Sequence, residues 1–102
     1  MPKFVRVAAL QEIPEGQAKV VLVQDREIAI FHSGGAIHAV KNSCPHRGIG
    51  LDRGSVVNET LTCPGHGWQF DMKTGDCLDR PDVGVRCYRT EIRGNSVWVE
   101  VP

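Results

Sequence analysis

Apolar residues, many of them Val and Ile, recur along most of the chain in short stretches separated by turn-forming residues. Short β-branched runs bounded by Gly, Asn and Asp are typical of antiparallel strands, and little of the chain has the periodicity of an amphipathic helix. The pattern therefore predicts an all-β fold. The main predicted strands are residues 4–8, 19–23, 27–32, 36–40, 85–92 and 96–101.

Turn residues connect several of these strands over very short distances. Residues 24–25 and 33–35 are predicted to close successive hairpins, and residues 93–95 are predicted to close a last hairpin. Gly and Asn in such turns tolerate the positive φ angles that tight hairpins require. Between residues 41 and 81 the β-branched runs shrink to Ser55–Val57 and Thr60–Thr62.

The middle of the chain has a different character, because Gly, Pro, Cys and His become dense there. A chain of 102 residues has room for one core, so residues 1–102 are expected to form a single domain. Within it, residues 41–81 are predicted to form a loop-rich subdomain set into a β base made of residues 1–40 and 82–102. Ordering such loops costs backbone entropy, and a bound metal centre would offset that cost.

Two segments, CPHRG beginning at Cys44 and CPGHGW beginning at Cys63, each provide one thiolate and one imidazole. The imidazoles belong to His46 and His66, at spacings that let both side chains of a loop point the same way. Two similar loops imply one shared metal site. The candidate ligands are therefore Cys44, His46, Cys63 and His66.

Two metal centres compete for this ligand set. A structural zinc site also uses two Cys and two His, but zinc fingers usually pair Cys with Cys and His with His. Each loop here carries one residue of each type. The mixed pairing favours a [2Fe–2S] cluster in which the cysteines hold one iron and the histidines hold the other.

The distribution of charged and apolar residues restricts the binding partners and the location of the protein. Twelve basic and twelve acidic residues give zero net charge without a Lys/Arg cluster, so nucleic acid is not expected as a partner. Glu12 and Glu15 interrupt the region where a signal peptide would be apolar, and no apolar run is long enough to cross a membrane. We therefore expect a cytoplasmic protein without a membrane anchor, in which Cys77 and Cys87 are buried free thiols.

The pattern Cys-x-His, a gap and Cys-x2-His, in the context CPHRG and CPGHGWQF, resembles Rieske proteins over essentially the whole chain. The resemblance implies the Rieske fold, an antiparallel β-sandwich or barrel base with an inserted subdomain that binds one [2Fe–2S] cluster. It implies that His46 and His66 hold the outer iron at the tip of the molecule. It also implies that a later loop, residues 79–81, packs against the cluster.

Within that family the chain is most similar to the small ferredoxins that serve bacterial ring-hydroxylating oxygenases. The respiratory branch carries a disulfide between the two loops, at positions that are Ile49 and Gly65 here. It also carries hydroxyl-bearing residues where this chain has Trp68 and Phe70, which cannot donate an O–H hydrogen bond. We expect Trp68 and Phe70 to pack beneath the loops, Ile49 to form docking surface, and the reduction potential to be low.

The resemblance implies an electron carrier and not an enzyme. The expected role is transfer of one electron from a flavin-dependent ferredoxin reductase to a terminal oxygenase that hydroxylates aromatic rings, by a monomer that exchanges partners. An alternative is the small Rieske-type subunit of a nitrite reductase-like complex, although that group often lacks the cluster and the ligands here are intact. A zinc-stabilised binding module is the third possibility.

Overall fold

The computed structural model describes residues 2–45, 48–65, 67–80 and 82–102. These residues form β-strands, two short 3-10 helices and loops, which confirms the all-β prediction. The 3-10 helices are Leu10–Glu12 and Leu51–Arg53. The strands are β1 (Lys3–Ala9), β2 (Ala18–Val23), β3 (Arg26–Ser33), β4 (Ala36–Lys41), β5 (Ser55–Val57), β6 (Thr60–Thr62), β7 (Gln69–Asp71), β8 (Cys87–Tyr88), β9 (Thr90–Arg93) and β10 (Ser96–Val101).

The strands of the described residues form three antiparallel sheets. The outer sheet has the order β1-β10-β9, the central sheet β2-β3-β4-β8, and the loop-side sheet β5-β6-β7. No helix in the described ranges has the length and apolar character needed to span a membrane.

Strand β3 of the central sheet is buried on both faces, as its four consecutive buried residues show. Ile28 and Ile30 face a core shared with the outer sheet, whereas Ala29 and Phe31 face a second core shared with the loop-side sheet. Successive side chains of a strand point to opposite faces, so one strand contributes to both cores.

We call the first the base core, formed by Ala8, Ile13, Val23, Ile28, Ile30, Ile37, Ala39, Tyr88, Val97, Val99 and Val101. We call the second the loop core, formed by Ala29, Phe31, Val40, Cys44, Leu51, Leu61, Cys63, Phe70, Met72, Cys77 and Val85. The loop core is the one that extends under the Cys-rich segments.

The predicted tight hairpins are confirmed. Gln24 and Asp25, at φ 51° and 64°, form the two-residue turn between β2 and β3. This left-handed backbone matches the twist of the adjoining strands, which is why such turns are favoured in hairpins. The turns at residues 33–35 and 93–95 join β3 to β4 and β9 to β10, and Gly94 has a φ of 60°.

The predicted strand at residues 85–92 is wrong, because the chain there forms two strands in different sheets. Tyr88 in β8 pairs with Ala39 of the central sheet, whereas Thr90 in β9 pairs with Val99 of the outer sheet. Arg89 lies at the crossing, where its carbonyl accepts the Glu100 N–H at 2.9 Å. One continuous strand could not pair with both the central sheet and the outer sheet, so the chain is interrupted between β8 and β9.

The two-sided burial of β3 leads to a stability prediction. Ile30 is 0% exposed, so Ile30→Ala should lower the free energy of unfolding by about 2–5 kcal/mol through lost burial and a residual cavity. Leu22 on the neighbouring strand is 70% exposed, and Leu22→Ala should change the same quantity by less than about 0.5 kcal/mol. Urea unfolding followed by circular dichroism measures both, and equal losses would contradict the layered packing.

Candidate metal centre

Two loops present Cys44 and Cys63, one after a strand of the central sheet and one after a strand of the loop-side sheet. The first cysteine loop, residues 44–49, follows β4, and the second, residues 63–68, directly follows β6. Cys44 is 1% exposed and Cys63 is 2% exposed, and both thiols belong to the loop core. The structure therefore brings the two predicted cysteine ligands into one buried apolar cluster.

The backbone of the first cysteine loop folds back on its own cysteine. The N–H of Cys44 donates to the carbonyl of Ile49 at 2.7 Å, and the N–H of Gly48 donates to the carbonyl of Cys44 at 2.7 Å. Gly48 has a φ of 71°, a left-handed conformation that glycine adopts without a steric penalty.

The second cysteine loop repeats this arrangement at equivalent positions. The N–H of Cys63 donates to the carbonyl of Trp68 at 2.7 Å, the N–H of Gly67 donates to the carbonyl of Cys63 at 3.1 Å, and Gly67 has a φ of 74°. In both loops the glycine lies four residues after the cysteine, and the accepting carbonyl lies five residues after it. The two loops therefore hold their cysteines with the same backbone geometry.

The two loops touch at Ile49 and Gly65. A Cβ atom added to Gly65 would collide with Cδ1 of Ile49 and would lie 3.8 Å from the sulfur of Cys63. Ile49 is half-buried and packs against the loop core. Its side chain spans the positions where the respiratory branch has a disulfide, and the expectation that Ile49 forms docking surface stays a prediction.

Two aromatic residues, one at the end of the second cysteine loop and one on the strand that follows it, lie beneath the loops. Phe70 on β7 is fully buried in the loop core, and Trp68 is half-buried against the same core. Phe70 is in the middle of β7, and Trp68 directly precedes that strand. The prediction that they pack under the loops is confirmed.

A third loop, residues 78–80, is fixed to the second cysteine loop. The N–H of Leu78 donates to the Gln69 carbonyl at 2.8 Å, and the Asp79 carboxylate accepts the Gln69 N–H at 2.8 Å. The guanidinium of Arg80 lies over the ring of Trp68, 5.4 Å from its centre. These contacts attach the third loop to the strand that leads out of the site.

The two predicted histidine ligands, His46 and His66, lie outside the described residues, as do Arg47 and Pro81. The structure thus reports on the two cysteines and on the backbone to either side of each histidine. The histidine half of the ligand set stays a prediction.

Comparison with known proteins assigns the class. Residues 3–89 match the model of the Rieske [2Fe-2S] domain, and the chain belongs to that family, whose cofactor is one Rieske cluster. The ferredoxin component of a naphthalene 1,2-dioxygenase system from Pseudomonas aeruginosa is 32% identical over 100 residues, which cover 97% of this chain and 96% of that relative.

Two solved structures share the fold over nearly their whole length. The ferredoxin of carbazole 1,9a-dioxygenase from Nocardioides aromaticivorans IC177 superposes with a TM-score of 0.85 at 29% identity, covering 95% of this chain and 96% of that one. A Mycobacterium tuberculosis protein assigned as the small subunit of an NADH-dependent nitrite reductase gives a TM-score of 0.92 at 25% identity, covering 100% and 97%.

The residues present fit the cofactor of the family. Cluster irons are held by thiolates, and a Rieske centre replaces two of them with imidazoles on one iron. Cys44 and Cys63 lie at the buried floor of the site in matched loops. Each loop also carries one histidine, two residues after Cys44 and three residues after Cys63. The chain thus supplies two donors of each type from two loops that touch.

Cys77 and Cys87 are free thiols, as predicted, but they differ in burial. Cys77 is buried in the loop core, whereas Cys87 is only half-buried and its thiol donates to the Met72 carbonyl at 3.5 Å. Burial raises the pKa of the Cys87 thiol, and the carboxylates of Asp71 and Asp76 raise the pKa further because they oppose a second negative charge.

His32 has a structural environment. Its Nδ1 lies 2.7 Å from the Ile13 carbonyl, and because a carbonyl only accepts, Nδ1 must carry the proton. Its Nε2 lies 3.6 Å from the Glu15 carboxylate, which accepts the N–H groups of Gly34 and Gly35. These contacts hold the β3–β4 turn, away from the cysteine loops.

The raised pKa of Cys87 predicts slow alkylation at neutral pH. The thiolate is the reactive form, so labelling by N-ethylmaleimide should accelerate from pH 7 to pH 9.5 and lag behind glutathione in the same tube. Asp76→Asn removes one opposing carboxylate and should increase the rate at a given pH. Mass spectrometry of the native protein measures the rate, with Cys87→Ser as the control for assignment. Labelling as fast as glutathione at pH 7 would contradict the raised pKa.

Proposed function

We propose that this chain is a one-electron carrier whose [2Fe–2S] cluster is held by Cys44 and Cys63 on the inner iron and by His46 and His66 on the outer iron. The observation that supports this assignment best is the pair of matched loops that bury both thiols in one core. The histidine-bound iron is the outer one in the Rieske family, so we place it toward the loop tips.

The cluster supplies a site that takes up and gives back one electron. Two neutral imidazoles in place of two thiolates leave the oxidised centre with a formal charge near zero, against about −2 for an all-thiolate cluster, so reduction is easier. The chain's own contribution is burial: the loop core excludes water from Cys44 and Cys63, while Pro45, Pro64 and Gly65 are exposed at the loop tips. Electrons would leave through the exposed tips.

The partners we propose are a flavin-dependent ferredoxin reductase as donor and a terminal oxygenase that hydroxylates aromatic rings as acceptor, both in the cytoplasm. The relative that supports this role is named as a ferredoxin component of a dioxygenase system and matches nearly end to end. A carrier of this kind exchanges partners as a monomer and transforms no substrate itself.

A second candidate role is the small subunit of a nitrite reductase-like complex, which the close superposition on the Mycobacterium tuberculosis protein favours. Purification of the tagged chain from its native cells separates the two roles. A carrier that exchanges partners should elute alone near its mass of 11.2 kDa, whereas a subunit should elute in a stable complex with a larger chain.

Cluster content tests the ligand assignment. The aerobically purified protein should contain two irons and two acid-labile sulfides, and dithionite should produce a rhombic EPR signal with an average g below that of all-cysteine ferredoxins. Cys44→Ser, Cys63→Ser, His46→Ala and His66→Ala should each abolish that signal. Cys77→Ala, a matched change of a buried cysteine outside the loops, should retain it. Stoichiometric zinc without a signal would contradict the carrier role and indicate a binding module.

The apolar side chains near the site predict a low potential. Rieske centres span roughly −150 to +300 mV, and without hydroxyl donors from Trp68 and Phe70 this one should lie near the low end. Phe70→Tyr restores a possible O–H donor and should raise the midpoint, while Phe70→Leu should leave it low. Potentiometry followed by EPR measures all three proteins, and a wild-type midpoint far above zero would argue against an oxygenase ferredoxin.

A further inference from the structure

The two cysteine loops have the same internal geometry, but they are closed at their ends in different ways. The second loop is the tip of a hairpin, since Thr62 of β6 pairs with Gln69 of β7 directly below it. The first loop has no such ladder among the described residues: β4 before it pairs with β3 and β8, and the segment after it forms the 3-10 helix Leu51–Arg53. The bond from the Cys44 N–H to the Ile49 carbonyl closes the loop itself, so the segments that flank it need another interaction to hold them together.

That interaction is a reciprocal pair between Asn42 and Asp52. The side-chain Nδ2 of Asn42 donates to Oδ1 of Asp52 at 3.1 Å, and the backbone N–H of Asp52 donates to Oδ1 of Asn42 at 2.8 Å. Asn42 precedes the first loop by two residues and Asp52 follows it by three. The pair, which we call the clasp, therefore closes the mouth of the loop that carries Cys44.

The clasp is anchored to the central sheet. Nδ2 of Asn42 also donates to Oε1 of Glu27 at 2.8 Å, and the backbone N–H of Asn42 donates to the Glu27 carbonyl at 3.0 Å. Glu27 belongs to β3, the strand that is buried on both faces. The first cysteine loop is thus tied to β3 at Glu27, directly before the four buried residues 28–31.

Burial makes this amide difficult to replace. Asn42 is 7% exposed, and it is the one polar side chain that is buried among the described residues. Its two Nδ2 hydrogens and its Oδ1 all have partners, so its rotamer and amide orientation are determined, and loss of a partner would leave a buried polar group unsatisfied.

Gly50 leaves the space that the clasp occupies. A Cβ atom at Gly50 would lie 2.9 Å from Oδ1 of Asp52 and 3.3 Å from Nδ2 of Asn42. Its φ of −60° is available to any residue, so the requirement for glycine is one of space and not of backbone conformation. A glycine whose missing side chain accommodates a hydrogen-bonded pair is a second sign that the clasp is specific.

From these contacts we infer that Asn42 is a positioning residue, which fixes the orientation of Cys44 toward the cluster by clasping the two ends of its loop through Asp52. Inside the clasp, the bond from the Cys44 N–H to the Ile49 carbonyl then sets the position of the cysteine itself. Asn42 acts through the loop backbone. The inference rests on the ligand assignment proposed above for Cys44.

The test compares Asn42→Ala with two controls in the cluster-loaded protein. Asn42→Ala should shift the EPR g-values and the visible circular dichroism of the cluster, and should speed cluster loss to a chelator by about 10- to 100-fold, as supporting residues around metal ligands do. Asp52→Asn keeps the backbone donor and one side-chain acceptor, so its spectra and loss rate should stay close to wild type.

Thr90→Val is the control for general destabilisation. It removes a part-buried hydrogen bond of the β base, from the Thr90 hydroxyl to the Ile37 carbonyl at 3.0 Å, at a position outside the loop core. It should lower the melting temperature while leaving the EPR signal and the chelation rate at 25 °C unchanged. The same spectral and kinetic changes in Thr90→Val would overturn a positioning role for Asn42.

Two further outcomes are decisive. Unchanged spectra and loss rate in cluster-loaded Asn42→Ala would overturn the inference while leaving the ligand assignment intact. If Asn42→Ala does not fold, Asp52→Ala, which loses only the carboxylate acceptor, should show a smaller change of the same sign, and no change there would overturn the inference. Failure of the ligand assignment has a separate signature, namely a cluster that survives Cys44→Ser.

Discussion

Burial of β3 on both faces is the constraint on which the rest of the structure depends. Residues 28–31 of β3 contribute alternately to the base core and the loop core, so neither core can form without the same strand. A chain of 102 residues has few apolar side chains with which to build a core. Because β3 packs on both faces, its side chains contribute to both cores. The loop core, which holds Cys44 and Cys63, therefore packs against a strand that the base core holds in place on its opposite face.

The site combines repetition with asymmetry. The two loops repeat the same backbone bonds around Cys44 and Cys63, which suits a cluster that takes one ligand of each type from each loop. Their supports differ, because the second loop continues a β-hairpin and the first relies on side chains. The matched loop geometry around the two cysteines is thus supported in two different ways, one by a backbone ladder and one by a buried amide.

The sequence predicted those features that depend on local patterns. Short apolar runs between turn residues identified most strands, and the spacing of Cys and His identified the two cysteine loops. Features that depend on distant partners were not predicted. The pairing of β1 with β10 joins the two ends of the chain, and the break at Arg89 follows from which sheets lie on either side of it.

Asn42 illustrates the limit of sequence reasoning at the site. It lies in a stretch rich in turn residues, where Asn ordinarily indicates an exposed turn. Its burial and its pairing with Asp52 arise only when β3, the first cysteine loop and the 3-10 helix come together. The hydrogen bond from the Gln69 N–H to the Asp79 carboxylate was likewise not predictable. An acidic residue close to a proline is common in exposed loops, so the sequence alone does not indicate such a contact.

The contact between Ile49 and Gly65 has a consequence for where such a protein can work. A disulfide between the loops would have its own reduction potential and would open or close with the thiol balance of its surroundings. Van der Waals contact between an isoleucine and a glycine backbone has no such dependence, so the loops stay joined whatever reductant surrounds them. Strong reductants therefore leave the contact that joins the two cysteine loops unchanged.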